Sequence, residues 1–299
     1  MRPDFMKTIN EKVLLIDGAM GTMLQSAGLP VGEASEKWNL EQPDIVEEIQ
    51  RKYVDAGSDI ILTNSFGGSY FKLDANGLGA QTAKINKSAA QIARRAAGES
   101  VYVAGSIGPT GQFLEPLGTV STDKMEDVFE LQIEALIEGG IDVVCIETMS
   151  DPHEAACAVR AAKKLAHIPV IASMTYDSGK AGFRTMMGND VASCAKILSD
   201  AGADVLSTNC GLGIDQMIGI VKEMRAASNL PLMAEPNAGL PELVGGKTVF
   251  RETAEMMSGK LLNLVKAGLS IVGGCCGTSP EYIKRFRAVV DAFNKTNRE

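Results

Sequence analysis

Two adjacent cysteines, Cys275 and Cys276, stand in the run Gly273-Gly274-Cys275-Cys276-Gly277-Thr278, directly after an apolar, strand-like stretch. A third, Cys210, ends another such stretch in Thr208-Asn209-Cys210-Gly211. Thiols at strand ends, in a chain without small-scaffold cysteine spacing, suit a soft metal better than a disulfide framework. Zinc fits best. It takes sulfur ligands tetrahedrally at about 2.3 Å, and three protein ligands with one open place define a catalytic site. The fourth place then falls to substrate, and a thiol is the expected one. A free thiol titrates near ~8.5 and is mostly protonated at neutral pH. Bound to a metal it is deprotonated. Three thiolates keep a fourth sulfur electron-rich, which favours alkyl transfer to sulfur over activation of water. Buried apolar thiols, or a vicinal disulfide between Cys275 and Cys276, are the competing readings.

The other cysteines do not share this placement: Cys157 and Cys194 fall in helical segments and Cys145 lies within a strand, so all three read as small core residues. Only two histidines exist. His153 opens a helix on the same face as the cysteines, and His167 precedes a strand from the opposite face. Other strand ends carry polar groups suited to a small zwitterion. Asp17-Gly18-Ala19-Met20-Gly21-Thr22 offers backbone amides to an anion such as a carboxylate. Glu147 follows Val143-Val144-Cys145-Ile146 and suits an ammonium group; Thr63 and Asn64 supply hydrogen-bonding groups. Asn237 is placed to lie over a metal when substrate is absent. For each, an ordinary turn or a structural hydrogen bond is the bland alternative.

These positions make sense on one fold. The 299 residues repeat a theme of β-branched apolar run, polar or Gly-rich loop and amphipathic helix. Strands are expected at Val13–Asp17, Asp59–Phe66, Val101–Ile107, Asp142–Met149, Pro169–Tyr176, Asp204–Cys210, Pro231–Pro236 and Leu269–Gly274. Helices are expected at Pro43–Ala56, with Ile45, Ile49 and Tyr53 on one face, and at Ser279–Phe293, with Ser279 as N-cap and Pro280 at N1. Glycines at 57, 140, 202 and 268 mark helix ends before buried strands. The strands are continuously apolar, as parallel strands covered on both sides must be. Eight βα units predict a single-domain (β/α)8 TIM barrel over residues 1–299, whose strand C-termini carry the chemistry. A doubly wound open sheet is the alternative, but no fingerprint loop supports it. Asn237–Gly246 and Gly108–Gly118 read as long functional loops.

Composition narrows the class. The chain is 45% hydrophobic and 22% charged, with a formal net charge of −8 and 5% aromatics, which argues against a nucleic-acid surface. No stretch of about 18 apolar residues predicts a membrane span, and Met1-Arg2-Pro3-Asp4-Phe5 has no signal-peptide core. A reducing cytoplasm is the expected compartment. No Gly-x-Gly-x-x-Gly or phosphate-loop lysine indicates a nucleotide or pyridoxal enzyme.

Taken together, Asp17–Thr22, Thr63-Asn64-Ser65-Phe66-Gly67, Ile107–Gly111, Ile146-Glu147-Thr148, Asn209-Cys210, Glu235–Gly239 and Gly273–Thr278 resemble the zinc-dependent homocysteine S-methyltransferases. They are most similar to the homocysteine-binding module of cobalamin-dependent methionine synthase. The resemblance runs from about Val13 to Phe293. It implies zinc on Cys210, Cys275 and Cys276 with the homocysteine sulfur as fourth ligand. It further implies that Asp17 and Glu147 hold the amino group, and that backbone near Gly18-Ala19 and the Thr63 region holds the carboxylate. Gly277-Thr278 after the cysteine pair resembles the cobalamin-dependent branch more than the S-methylmethionine-dependent one, where Arg commonly follows.

Two departures stand out. The chain stops at Glu299 without a cobalamin-binding Asp-x-His-x-x-Gly, the nearest match being Asp151-Pro152-His153-Glu154-Ala155-Ala156. An excised module or a stand-alone subunit is therefore expected, with methylcobalamin carried by a separate corrinoid protein or module. Met186 and Met187 also replace a run of small hydroxyl residues after strand 5, by harmless drift or by reshaping the mouth. Three readings follow: methyl transfer to homocysteine giving methionine; demethylation of a methylated thiol or amine onto a corrinoid protein; and a zinc-carrying docking subunit without chemistry.

Overall fold

The apolar runs become eight short parallel strands. In the computed structural model, which describes residues 2–244 and 247–297, these are β1 (Leu14–Leu15), β2 (Ile60–Leu62), β3 (Tyr102–Ile107), β4 (Val143–Met149), β5 (Val170–Met174), β6 (Val205–Asn209), β7 (Leu232–Glu235) and β8 (Ile271–Val272). Their hydrogen-bonded order is β1-β8-β7-β6-β5-β4-β3-β2, and a parallel bridge between Ile16 and Ile60 joins the ends. This is the (β/α)8 barrel expected from the eight units. Each strand lies inside its expected span, trimmed where the chain leaves the ladder for a loop.

Two layers of core hold it. Inside, alternate strand residues Leu14, Ile16, Ile60, Leu62, Val143, Cys145, Ile171, Val205, Met233 and Ile271 pack together. Outside, the strands' other faces meet the helices, among them Pro43–Asp55, Thr82–Ala97, Pro152–Leu165 and Pro280–Thr296. Cys145 faces the inner core, and Cys157 and Cys194 are buried in helices, all three as free thiols. Glycines 57, 140, 202 and 268 adopt φ of 103°, 99°, 102° and 108° after their helices, the left-handed region where a side chain is strained.

Three features go beyond the expected elements. A helix at Phe5–Glu11, capped by Asp4, plugs the N-terminal end of the barrel: Phe5 and Ile9 join the inner core, and Phe5 meets Tyr102 edge-on at 5.3 Å. Antiparallel hairpins also form at Asp177–Gly179 with Gly182–Arg184 and at Glu242–Val244 with Lys247–Val249. The second begins in the expected Asn237–Gly246 loop and extends beyond it to Val249, with Gly245 and Gly246 outside the described residues. Ser279 occupies the N-cap as expected, but its side chain makes no capping hydrogen bond. Pro280 at N1 sets the helix start instead.

The approach of β8 to β1 dictates glycine at 273. A Cβ there would lie 2.4 Å from Ile16 Cγ2 and 2.7 Å from the Ile16 carbonyl oxygen. Backbone cannot step aside, so Gly273→Ala is expected to cost about 1–3 kcal/mol. Urea denaturation would measure this, and an unchanged midpoint would contradict the close approach.

Candidate active site and metal centre

The strand C-termini converge on a cavity of about 410 Å3, lined by residues from Gly18 to Thr22, by Thr63 to Phe66, and by Ser106, Glu147, Thr148, Cys210, Glu235, Cys275 and Cys276. Among the described residues, no Lys, Arg or His lines it.

Cys210 leaves β6, and Cys275 and Cys276 occupy the turn after β8. Their sulfurs all lie within 4.8 Å of one another, and Cys210 Sγ stands 3.8 Å from Cys276 Sγ. Tetrahedral bonds of about 2.3 Å place two sulfurs about 3.8 Å apart. The spacing and the chemistry of the donor set therefore fit zinc. All three cysteines are half-buried and free. Cys210 holds φ at 61° and Thr148 at 59°, so the backbone is strained at two non-glycine residues of this site.

The cysteine turn is firmly held. Cys275 N–H donates to Pro236 O at 2.9 Å, and Thr278 Oγ1 donates to Cys275 O at 2.6 Å. Tyr53 clamps it to the first loop, its hydroxyl reaching Thr278 O at 3.0 Å and Ala19 O at 3.1 Å. Cys276 N–H donates to Asn237 Oδ1 at 3.1 Å. The amide expected to lie over a metal thus has its oxygen on the cysteine turn.

Charge in the site is one-sided. Hydrogen bonds from Cys275 and Cys276 hold the Cys210 thiol down to about 3. The same bond to Cys210 pushes Cys276 up to about 12 and raises Cys275 as well. The shared hydrogen bonds thus favour the ionised form on Cys210 and the protonated form on Cys275 and Cys276. Burial raises Glu147 to about 7, against a hydrogen bond from Ser106 that lowers it, with the Cys210 charge raising it further. Burial also raises Asp17 and Glu235, with Glu147 repelling both.

The other expected residues are placed less uniformly. Gly18, Ala19, Thr63 and Asn64 line the cavity. The Ala19 N–H is already spent on Thr278 O at 3.0 Å. Thr63 Oγ1 pairs with Ser65 Oγ and accepts from Ser106 N–H, and Asn64 Nδ2 donates to Ser35 O and Asn39 Oδ1. Asp17 sits behind the wall: one carboxylate oxygen accepts Leu62 N–H at 2.9 Å, while Oδ1 is buried without a partner. His153 and His167 are exposed, and neither joins the sulfur group. Asp151 caps its helix by accepting His153 N–H, which accounts for that near-match to a cobalamin motif. Met186 is exposed, Met187 half-buried, and neither lines the cavity.

The sequence singles out Glu235 as a strand-end residue and Asn209 as part of a motif, without a specific role for either, and does not single out Ser106. All three are buried polar residues at or near strand ends. A polar side chain inside an otherwise apolar run was the available signal.

The fold and site define a (β/α)8 barrel protein with three thiols, a group that could hold a metal ion, and buried carboxylates at its mouth. Comparison makes it specific: the family model described as homocysteine S-methyltransferase matches residues 14–290. The chain belongs to the homocysteine S-methyltransferase family. It is 30% identical over 312 aligned residues to a methionine synthase of Mycobacterium leprae (strain TN), covering 97% of this chain and 25% of that protein. To a methionine synthase of Mycobacterium tuberculosis (strain ATCC 25618 / H37Rv) it is 29% identical over 317, covering 99% and 26%. The chain thus spans about a quarter of these relatives' length. The metallated homocysteine methyltransferase MmuM from Escherichia coli shares its fold with a TM-score of 0.78, at 23% identity and over 93% of this chain and 96% of that one. No helix among the described residues is long and apolar enough to cross a membrane.

Proposed function

We propose that this chain is a single homocysteine-binding barrel that activates a thiol for methylation. It holds zinc on Cys210, Cys275 and Cys276, accepts homocysteine, and receives the methyl group from a methyl-corrinoid protein or module, giving methionine. The observation that carries this reading is the pairing of three sulfurs within 4.8 Å of one another with buried carboxylates in a cavity lined, among the described residues, by no cationic side chain. Such a site calls for a metal cation and for a ligand that brings its own ammonium.

When bound, zinc supplies the Lewis acidity that keeps a substrate sulfur deprotonated at neutral pH. The remaining work belongs to the chain. Glu147, steadied by Ser106, takes the substrate ammonium, with Asp17 Oδ1 behind it as a second acceptor. The cavity wall around Gly18, Ala19, Thr63 and Asn64 receives the carboxylate. Asn237 holds the cysteine turn in register. The substrate sulfur then faces the open mouth and attacks the methyl carbon. A sulfur–carbon bond forms, the donor–carbon bond breaks, and its electron pair stays with the donor. The rim suits a macromolecular donor: Phe66, Phe113, Leu117, Met186, Leu240 and Leu243 are exposed apolar residues on its loops.

Metal loading should release protons at neutral pH, because the Cys275 and Cys276 thiols are raised and must ionise to bind. A pH indicator in weak buffer reads this directly, and no release would contradict the assigned ligands. For function, zinc-loaded protein is given homocysteine with methylcobalamin or S-methylmethionine, and methionine is quantified by mass spectrometry. Zinc-dependent methionine from methylcobalamin is expected. Transfer from the sulfonium alone would remove the corrinoid from the account. Methyl transfer only from a methylated substrate to cob(I)alamin would favour the reverse direction. No turnover with zinc retained would favour a docking subunit.

A further inference from the structure

Asn209 ends β6, one residue before Cys210, and is completely buried. Five partners surround its amide. Oδ1 accepts the Thr148 backbone N–H at 2.8 Å and the Ser173 hydroxyl at 2.7 Å. A backbone N–H can only donate, so the oxygen must face Thr148 and the nitrogen must face away. Nδ2 then reaches Thr148 Oγ1 at 2.8 Å, Glu147 Oε2 at 3.4 Å and Cys275 Sγ at 3.7 Å. Two protons serve three acceptors. One is fixed on the near Thr148 oxygen, and the other lies between the Glu147 carboxylate and the Cys275 sulfur.

Resting on the function proposed above, we propose that Asn209 is a positioning residue that couples the metal-binding half of the site to its amino-group half. It holds the Cys275 sulfur and the Glu147 carboxylate at one spacing from a single rigid amide. Its N–H also draws electron density from the sulfur, which strengthens the Lewis acidity of a metal held there. An ammonium on Glu147 makes that carboxylate a weaker acceptor and leaves the N–H to Cys275. Binding of the substrate amino group is thereby felt at the metal. The interior polar residues Ser173 and Thr148 hold the amide in the one orientation that permits this.

The test uses protein loaded with Co(II), whose sulfur-to-cobalt charge-transfer band reports electron density on the thiolates, alongside zinc affinity by chelator competition. Asn209→Ala is expected to move the band to longer wavelength and to weaken metal binding by about 10–100-fold. Ser173→Ala, which loosens the amide but leaves its N–H groups in place, should shift both in the same direction by less. In wild type, the homocysteine complex should have its band at shorter wavelength than the complex with 4-mercaptobutanoate, its analogue without the amino group, and Asn209→Ala should erase that difference. Band, affinity and ligand difference all unchanged in folded Asn209→Ala would overturn the proposal. If that variant does not fold, wild-type behaviour of Ser173→Ala overturns it. Wild-type protein lacking any thiolate-to-cobalt band would instead overturn the functional reading beneath it.

Discussion

Replacing Cys276 by alanine is expected to remove bound zinc and methyl transfer together. Its sulfur is one of three within 4.8 Å of one another, and it stands 3.8 Å from that of Cys210. With it gone, two protein thiolates and solvent face the metal, too few to hold zinc against a modest chelator. A substrate thiol then depends on its own acidity and is mostly protonated at neutral pH. Turnover should fall to background. The barrel itself should tolerate the change within about 1 kcal/mol, because Cys276 is half-buried at a loop and packs in no core cluster. Metal analysis after dialysis, activity and thermal denaturation separate the effects. Full activity in a zinc-free Cys276→Ala protein would remove the mechanism.

Glu147→Gln should pull stability and function in opposite directions. The carboxylate is buried, and burial raises it to about 7 from an ordinary value of 4.5. A raised folded-state pKa means that the folded chain holds its proton more tightly than the unfolded chain. Metal-free stability should therefore fall as pH rises from about 4.5 to about 7 and then level off. Glutamine has no charge to desolvate and keeps an oxygen for the Ser106 hydroxyl. In chelator at pH 8, Glu147→Gln is expected to be about 2–3 kcal/mol more stable than wild type, while at pH 5 the two should nearly coincide. Function should suffer in exchange. Losing the partner of a buried ammonium costs about 3–5 kcal/mol, or roughly 100- to 1000-fold or more in kcat/KM for homocysteine. Unchanged homocysteine kinetics would show that the amino group binds elsewhere.

Much of this molecule was legible in its residues because a parallel barrel leaves strong local marks. Buried strands must be apolar on both faces, helices must end before them, and glycine serves those ends, as 57, 140, 202 and 268 do. Cys210, Cys275 and Cys276 could be grouped because strand C-termini share one face of the barrel, however far apart they lie in sequence. Finer assignments needed distances. Asp17 and Glu147 read alike along the chain, yet Glu147 lines the cavity while Asp17 stands behind it on Leu62 N–H. Asn237 reads as a free amide at a strand end, but its oxygen is committed to Cys276 N–H. Asn209 reads as part of a motif, and only packing reveals that one amide touches β4, β5 and the turn after β8. The hairpin at 177–184 and the plug helix at 5–11 left little periodic signal, being too short for hydrophobic pattern to identify.

The central claim is that three protein sulfurs hold zinc with one place kept for the thiol of homocysteine. Zinc X-ray absorption on the purified protein, with and without homocysteine, tests it without assuming a methyl donor. The predicted result is a shell of three sulfurs and one light atom that becomes four sulfurs when homocysteine is added. A three-sulfur shell unchanged by homocysteine would contradict homocysteine as the activated thiol. A protein that retains no zinc would contradict the metal centre itself.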